Sequence, residues 1–271
     1  MTQPVDALTP AAVTEKVLAL SQSKTTLPWK QQLPLAALAG AYIGMAALFS
    51  TLSLGDSALP FAIQKILGGA CFSLGLLLVV VAGAELFTGN TMIAAGAVDG
   101  RITWRATIEN WVRIWLGNLL GALVLVAIVY FSGAAQTPVV VKGLYAVASV
   151  KLTASWGAVF FKGMLCNFLV CLGVWLAYAG RTVVDKAAGV FLPVTAFVAL
   201  GFEHCVANMF FLPMAYSLKL SGIVPEGTDA AFMTLPAILS NLSAATLGNI
   251  AAGAGLALLY KAAYKPGKSE R

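Results

Sequence analysis

Long apolar runs separated by short polar stretches dominate the pattern along the chain. Two of the apolar regions are interrupted by charge, 66–98 by Glu85 and 187–218 by the pair Glu203-His204. A helix needs roughly 20 residues to cross a hydrocarbon core, and the charge-free intervals approach or exceed that length: 31–55, 66–84, 114–141, 163–180 and 230–260. With each interrupted region counted as one span, the pattern predicts six membrane helices, at about 33–54, 63–97, 110–132, 156–180, 187–215 and 232–262.

Composition supports this interpretation. Of the 271 residues, 59% are hydrophobic and 10% are charged, whereas a soluble domain carries about 25% charged residues. These values exclude an ordinary soluble domain, a disordered chain and a disulfide-stapled mini-protein. The four cysteines lie inside apolar stretches without metal-site spacing, so we expect neither a metal nor a cofactor: Cys71, Cys166, Cys171 and Cys205.

The basic residues indicate the orientation in the membrane. Six spans place both termini on one side, and that side carries twelve Lys and Arg residues against four on the other. The positive-inside rule then places both termini in the cytoplasm. It also explains the net charge of +6 without a nucleic-acid partner.

The residues before the first span predict a surface helix. Residues 1–30 do not have the order of a cleavable signal peptide. Thr9-Pro10 is typical of a helix N-cap and first turn. Val13, Val17, Leu18 and Leu20 follow on roughly one face, which indicates an amphipathic cytoplasmic helix, with a frayed tail as the alternative. The predicted organisation is therefore a helix in 1–30, a channel domain in 31–262 with repeats at about 31–132 and 156–262, and a cytoplasmic tail in 263–271.

The two interrupted regions resemble each other. Gly83, Glu85 and Asn90 recur 118 residues later as Gly201, Glu203 and Asn208. The dipeptide Gly-Asn is likewise repeated in the third and sixth spans, at 117–118 and 248–249. A repeat of three spans must be inverted in its second copy, and inverted repeats with a broken helix in each half indicate a transport site.

Ionisable residues at membrane depth require an explanation because they are costly there. We expect Glu85 and Glu203, with the neighbouring Asn90 and Asn208, to hold the broken helices, the carboxylates by accepting from unpaired helix-end amides. His204, the one histidine in the sequence, is a functional candidate. Thr88, at similar depth in the first break, could hydrogen-bond it or a passing anion. Lys151 and Lys162 are candidates for attracting anions, although Lys151 could be a solvated loop charge and Lys162 could pair with a carboxylate or reach an interface.

Several longer strings resemble the formate–nitrite transporter family, which includes formate, nitrite and hydrosulfide channels: AGAELFTGNTM (82–92), FKGMLCNFLVCLGVWLA (161–177), GFEHCVANMFFLPM (201–214) and TLGNIAAG (246–253). The resemblance implies an all-α, aquaporin-like protomer of six helices, each with its own pore, in a homopentamer. CFSLGLLLVV, RITW and FVALGFEH are most similar to the formate channels. Glu85 departs from them, because the best-known formate channels have Asp there, and ELFTGN also occurs in nitrite- and hydrosulfide-type members.

The resemblance also implies roles for individual residues. Phe72 and Phe197 match an outer constriction of the pore. The remaining matches are an inner constriction of Leu76, Leu86, Phe87 and Val170, a polar centre of His204, Thr88 and Asn167, and a vestibule lysine, Lys151.

These features predict a transporter of small monovalent anions in a bacterial inner membrane. A bare carboxylate cannot cross a dry ring of Phe and Leu at low cost. We therefore expect formate to be drawn in by Lys151, protonated near His204 by the imidazole or by water, and passed on as the neutral acid. Nitrite, hydrosulfide, acetate or lactate are alternative substrates in the same fold. An intramembrane enzyme is a remote alternative, because neither HExxH nor GxSxG is present.

Overall fold

The computed structural model describes residues 6–265, and within that range every regular element is helical. The predicted N-terminal helix and C-terminal tail therefore extend, in residues 1–5 and 266–271, outside the described residues. The α-helices are α1 Pro10–Thr26, α2 Trp29–Leu54, α3 Phe61–Leu78, α4 Phe87–Asn90, α5 Ala94–Val98, α6 Trp104–Phe131, α7 Pro138–Leu152, α8 Trp156–Ala179, α9 Val183–Ala199, α10 Cys205–Leu220 and α11 Leu235–Tyr264. A π-helical turn, Val79–Gly83, continues α3, and a 3₁₀ turn, Thr91–Ile93, joins α4 to α5.

The six predicted spans are present. Among the described residues, five helical segments are long and apolar enough to cross a membrane: Trp29–Leu54, Phe61–Gly83, Trp104–Phe131, Trp156–Ala179 and Leu235–Tyr264. The sixth span consists of α9 and α10, which are separated by the second break; α10 is apolar but shorter. The third and fourth spans begin at side-chain caps, where Thr103 accepts from Ala106 N and Ser155 from Ala158 N.

The spans form two copies of one packing pattern. In the first half α2 packs mainly against α3 and α6, and in the second half α8 packs mainly against α9 and α11. The halves meet where α3 lies against α9. The approach of α2 to α6 requires glycine, because a side chain on Gly40 or Gly121 would collide with the backbone oxygen of Asn118 or Ala37.

One surface helix extends each copy, α1 the first and α7 the second. Helix α7 occupies most of 133–155, a segment that the apolar pattern treats as a connection without a predicted helix. It begins at Thr137-Pro138, as α1 begins at Thr9-Pro10. Helix α1 packs on α5 and α8, and α7 packs on the corresponding α10 and α2. The structural repeat therefore covers about 10–131 and 138–264, which is longer than the sequence pattern indicates.

Both ends of the described chain lie on one face of the bundle, which we call the terminal face. There Glu15 of α1 pairs with Arg101, at 2.7 Å, and with Lys265, at 2.8 Å. These contacts join α1 to the turn before α6 and to the end of α11. Helix α7 lies at the other end of the spans, which we call the opposite face.

Candidate functional site

The two broken helices have the same backbone geometry. Gly83 and Gly201 adopt φ values of +82° and +69°, a conformation that glycine accommodates without steric cost. The chain after each glycine is extended until the next helix begins at Phe87 or Cys205. An equivalent hydrogen bond closes the preceding helix in each case: Ala84 N donates to Val79 O at 2.9 Å, and Phe202 N donates to Phe197 O at 3.0 Å.

One buried asparagine fastens the first break to the long helices. Asn118 Nδ2 donates to Ala36 O at 2.8 Å and to Glu85 O at 2.9 Å, and its Oδ1 accepts from Phe87 N at 2.9 Å. The amide at the start of α4 is thus paired with a side-chain carbonyl.

Asn249 does the same at the second break. Its Nδ2 donates to Gly163 O at 2.8 Å and to Glu203 O at 2.9 Å, and its Oδ1 accepts from Cys205 N at 3.0 Å. The expectation that the two glutamates accept from helix-end amides is therefore wrong. An asparagine offers an acceptor and two donors to the same stretch of backbone, and the carboxylates turn to other partners.

Glu85 binds a lysine from the N-terminal surface helix. Its Oε1 lies 2.6 Å from Lys24 Nζ, and its Oε2 accepts from Asn90 Nδ2 at 2.7 Å. Asn90 Nδ2 also donates to Asn110 Oδ1 at 3.0 Å, and Asn110 Nδ2 donates back to Lys24 O at 3.0 Å. Four side chains from four different segments thus form one closed network.

Glu203 occupies an equivalent network on the opposite face. Its Oε2 lies 3.0 Å from Lys151 Nζ and accepts from Asn208 Nδ2 at 2.7 Å. Asn208 Nδ2 donates to Asn241 Oδ1 at 2.7 Å, and Asn241 Nδ2 donates to Lys151 O at 3.0 Å. This network is more deeply buried, because the Glu203 side chain is 0% exposed and that of Glu85 is 13% exposed.

Sequence reasoning missed three members of these networks. Lys24 entered only as a charge that indicates orientation, and Asn110 and Asn241 received no role. A signal was present, since Asn110 and Asn118 are eight residues apart, as are Asn241 and Asn249. Equivalent asparagine pairs inside the third and sixth spans indicate shared contacts in both halves.

The opposite-face cavity brings the predicted outer site together. It has a volume of about 70 Å³ and is lined by Lys65, Lys151, Phe72, Phe197 and His204, among others. The Phe72 and Phe197 ring centroids are 5.8 Å apart, and the Phe197 ring stacks on the His204 ring at 5.8 Å. Aromatic rings therefore form the inner wall of a cavity whose lining includes two lysines and no carboxylate.

Hydrogen bonds fix the orientation of His204. Its Nδ1 accepts from Ala207 N at 3.1 Å, which caps the start of α10. A neutral ring with an acceptor at Nδ1 carries its proton on Nε2, and Nε2 lies 3.2 Å from Thr88 Oγ1. The imidazole thus links the two breaks and presents a donor on the side of Thr88.

Asn167 forms a hydrogen bond with the backbone of Thr88. Its Nδ2 donates to Thr88 O at 3.2 Å, to Thr91 Oγ1 at 3.0 Å and to Asn249 O at 2.6 Å. Its Oδ1 is buried without a hydrogen-bond partner in the described part of the chain. The structure places Asn167 beside the Thr88 backbone, and it lines neither of the two cavities.

A second cavity opens on the terminal face. It has a volume of about 400 Å³, and its lining includes Lys16, Lys24, Lys186, Glu85 and Leu86. The two cavities share no lining residue. The predicted inner constriction is buried between side chains of the bundle: Leu76, Leu86, Phe87 and Val170.

Lys162 is not brought to either cavity. Its backbone oxygen accepts from Glu203 N at 3.3 Å, and its side chain forms no ion pair in the described range 6–265. The other predicted lysine, Lys151, is buried against Glu203 and is therefore more than a solvated loop charge.

An inverted repeat, two broken helices and a buried, mainly apolar segment between two cavities define a multi-pass membrane protein with the architecture of a transporter. The family model described as formate/nitrite transporter matches residues 11–263. The chain therefore belongs to the formate/nitrite transporter family. Membership confirms the resemblance stated from the sequence and supports a transport protein over the enzyme alternative.

Individual relatives agree with this assignment. The chain is 42% identical to "Formate channel FocA" of Haemophilus influenzae over 228 residues, which cover 80% of each protein. It is 38% identical to "Formate channel FocA" of Escherichia coli K12 over 262 residues, 92% of each. Among solved structures, "Pentameric formate channel with formate bound" is similar with a TM-score of 0.76 and 34% identity, covering 86% of this chain and 95% of that one.

Proposed function

We propose that this protein conducts small monovalent anions, formate foremost, and that it works as a homopentamer in a bacterial inner membrane with its terminal face in the cytoplasm. The observation that carries the proposal is the lysine-lined cavity that ends at an aromatic wall, with a histidine–threonine pair behind it. Relatives named as formate channels and a related structure described as pentameric support the substrate and the assembly. The distribution of Lys and Arg supports the orientation.

Lys151 gives the opposite-face cavity its attraction for anions. Lys151 is a lining residue of the cavity, whereas its partner Glu203 is not. An anion in the cavity therefore lies nearer to the positive end of the pair. Lys65 adds a second positive charge to the same lining, and charge of one sign in a concave, low-dielectric site raises the local anion concentration.

The buried segment between the cavities selects against bare charge. Phe72 and Phe197 close the cavity, and burying an unpaired carboxylate costs many kcal/mol. Adding a proton converts formate into neutral formic acid, with no other change in its atoms, and removes most of that cost. We infer that formate crosses this segment as the neutral acid.

The geometry of His204 supports the aqueous solution as the source of the proton. Because Nδ1 accepts from Ala207 N, a second proton on the ring would have to displace the cap of α10. The neutral ring instead offers its Nε2 donor, in common with the Thr88 hydroxyl, to the oxygen atoms of the permeant species. His204 then orients the acid, and the proton comes from a hydronium ion of the solution, which is left as neutral water.

Flux into proteoliposomes tests this function. Formate, nitrite, hydrosulfide, acetate and lactate are each compared at acidic and neutral pH, with protein-free vesicles as the control for passive leakage. Fast formate entry that accelerates with acid and saturates weakly is the expected result.

Preferential flux of nitrite, hydrosulfide or a larger monocarboxylate would contradict formate as the preferred substrate, but it would still support a pore for small anions. Formate flux that is independent of pH would contradict passage as the neutral acid.

A further inference from the structure

The terminal-face cavity contains more positive charge than its neighbours neutralise. Among residues 6–265, Lys24 is the one of the three lining lysines with a carboxylate partner, Glu85, which is also the one acidic residue that the described part of the chain contributes to the lining. Lys16 and Lys186 form no ion pair within residues 6–265. Lys16 Nζ instead donates to the backbone oxygen of Tyr178 at 3.2 Å and lies 5.2 Å from the centroid of its ring.

The two unpaired lysines are close enough to act on each other. Burial lowers the pKa of Lys16, and the charges of Lys186 and Arg181 lower it further. Like charges gathered at one cavity repel each other, and a multivalent anion between them would relieve this repulsion. Two unpaired ammonium groups match the charge of a dianion.

The size of the cavity also distinguishes it. Small-molecule sites have volumes of roughly 300–1,000 Å³, and the terminal-face cavity, at about 400 Å³, falls in that range, whereas the opposite-face cavity has about 70 Å³. One difference between the equivalent breaks contributes to this contrast. Ala84 lines the terminal-face cavity where Phe202, 118 positions later, lines the other.

We propose that the terminal-face cavity is a binding site for a small phosphoryl dianion, either free phosphate or a soluble phosphomonoester, which obstructs the pore from that side. This inference rests on the proposed function for its effect on flux, but its binding step does not. Lysine ammonium groups bind phosphate as point charges. A phosphomonoester carries a charge of about −1.5 to −2 at pH 7, and one added proton leaves it charged. Unlike formate, it cannot become neutral in one step and is therefore held before the buried segment.

Binding is measured first, on the purified full-length protein in detergent at low salt. Calorimetric titrations with inorganic phosphate and with glycerol 2-phosphate are compared for the unaltered protein, Lys16→Gln/Lys186→Gln and the control Lys142→Gln/Lys219→Gln, whose lysines line neither cavity. Because a charge-assisted hydrogen bond contributes about 1.5–3 kcal/mol, the first variant should bind at least about tenfold more weakly. The control, which removes two lysines from the opposite face, should bind as before.

The two ligands identify the source of the phosphoryl group. Equal affinity indicates free phosphate, and tighter binding of glycerol 2-phosphate indicates a phosphomonoester. Absence of binding to both, or equal binding by both variants, would overturn the proposal. The titration is repeated in nanodiscs with phosphatidate; loss of soluble-ligand binding there would assign the cavity to a lipid headgroup and equally overturn it.

Flux then tests the block. In proteoliposomes with one orientation, phosphate on the terminal face should slow formate flux, phosphate on the opposite face should not, and Lys16→Gln/Lys186→Gln should remove the difference. Normal formate flux without phosphate binding would refute the inference alone. Phosphate binding to a protein that transports no formate would refute the proposed function but would still support the phosphoryl-binding site.

Discussion

The two helix breaks share their anchors and differ in the residues that meet the pore. Each break has a glycine with positive φ and a Lys–Glu–Asn–Asn network. Each also has a buried asparagine, Asn118 or Asn249, that hydrogen-bonds three backbone groups around the break, and we call this asparagine the asparagine bracket. At the position equivalent to His204, however, the first break has Leu86, and its Thr88 corresponds to Val206. The fold is therefore duplicated, whereas the polar chemistry is assembled from one group of each copy.

This difference follows from what each part must do. Holding a broken helix at membrane depth requires every backbone group to be paired, and both breaks have the same groups to pair. A narrow apolar pore needs only one pair of polar side chains to orient the permeant molecule. A second polar pair, at the equivalent position of the other repeat, would admit water and bare ions. Thr88 and His204 form the one pair, at 3.2 Å from each other.

The largest contrast between the halves should appear when the buried glutamates are neutralised. Glu203→Gln leaves the buried Lys151 ammonium without its counter-charge, which should lower the free energy of unfolding by about 3–5 kcal/mol. Glu85→Gln breaks a pair whose side chains are 13–16% exposed, so water can partly replace the lost charge and the cost should be smaller, about 1–2 kcal/mol. Unfolding in denaturant is measured for both variants, with the exposed Glu226→Gln as control. Equal losses would show that the difference in burial has no energetic consequence.

The asparagine brackets should instead behave alike. Asn118→Ala and Asn249→Ala each remove three hydrogen bonds and leave a buried helix-start amide unpaired. Each should lower the free energy of unfolding by about 3 kcal/mol. The two variants are each other's control in the same denaturation experiment. A loss confined to one of them would contradict the equivalence of the two breaks.

The histidine tests the asymmetry directly. His204→Leu removes the hydrogen-bond donor that His204 shares with Thr88 and should reduce formate flux by about 2- to 10-fold, the loss expected for about 0.5–1.5 kcal/mol of hydrogen bonding to a neutral acid in the barrier. His204→Asn retains a donor and an N-cap side chain, so its loss should be smaller. Flux and thermal stability are recorded together, which separates altered permeation from altered folding. If rate, selectivity and pH response are unchanged in His204→Asn, the histidine has no part in permeation.

The smallest effect concerns the surface helices. Hydrogen bonds from Lys265 and Arg101 lower the pKa of Glu15 below its ordinary value of 4.5. Its ion pairs therefore stabilise the docking of α1 fully above pH 4.5, and this contribution is lost as the pH falls below that value through the folded-state pKa. The Glu15 side chain is 54% exposed, so solvent screening limits the effect to about 1 kcal/mol or less.

Hydrogen exchange in α1 and α7 at pH 7 and pH 4 checks this prediction. Protection of α1 should decrease at pH 4, and α7, which has no equivalent exposed cluster, serves as the internal reference. Asp99 faces the same cations, with Arg101 at 2.9 Å and Lys261 at 3.5 Å, so Asp99→Asn separates its titration from that of Glu15. Glu15→Gln should abolish the part of the response that depends on Glu15; an unchanged response would assign it to other groups.

The charge-free intervals, together with the two apolar regions that charge interrupts, predict all six spans, because a bilayer imposes a minimum length on every helix that crosses it. They were insufficient for α7, whose 15 residues are too few to span and which packs on α2 and α10 instead. A period along one segment does not reveal which neighbour will cover its apolar face. The repeated Thr-Pro start was the local signal for that helix.

Contacts between residues that are far apart in the sequence are the second feature that the sequence alone does not predict. Lys24 and Glu85 are separated by 61 positions, and their pairing depends on how α1 docks. The sequence shows that Asn118 and Asn249 are repeated, but their role depends on the three backbone groups with which each one forms hydrogen bonds. Such roles follow from tertiary geometry, whereas the positions of Glu85, Glu203 and His204 within apolar runs could be found from the chain alone.

The short barrier between the two cavities also determines where the membrane voltage acts. Solvent that enters the two cavities conducts, so most of the potential should fall across the buried segment between Leu86, which lines one cavity, and Phe72, which lines the other. A single charge moved through the full potential exchanges about 2.3 kcal/mol per 100 mV, whereas a neutral molecule exchanges none. Transport of formic acid should therefore carry no electric current and respond to the pH difference across the membrane, but not to its polarisation.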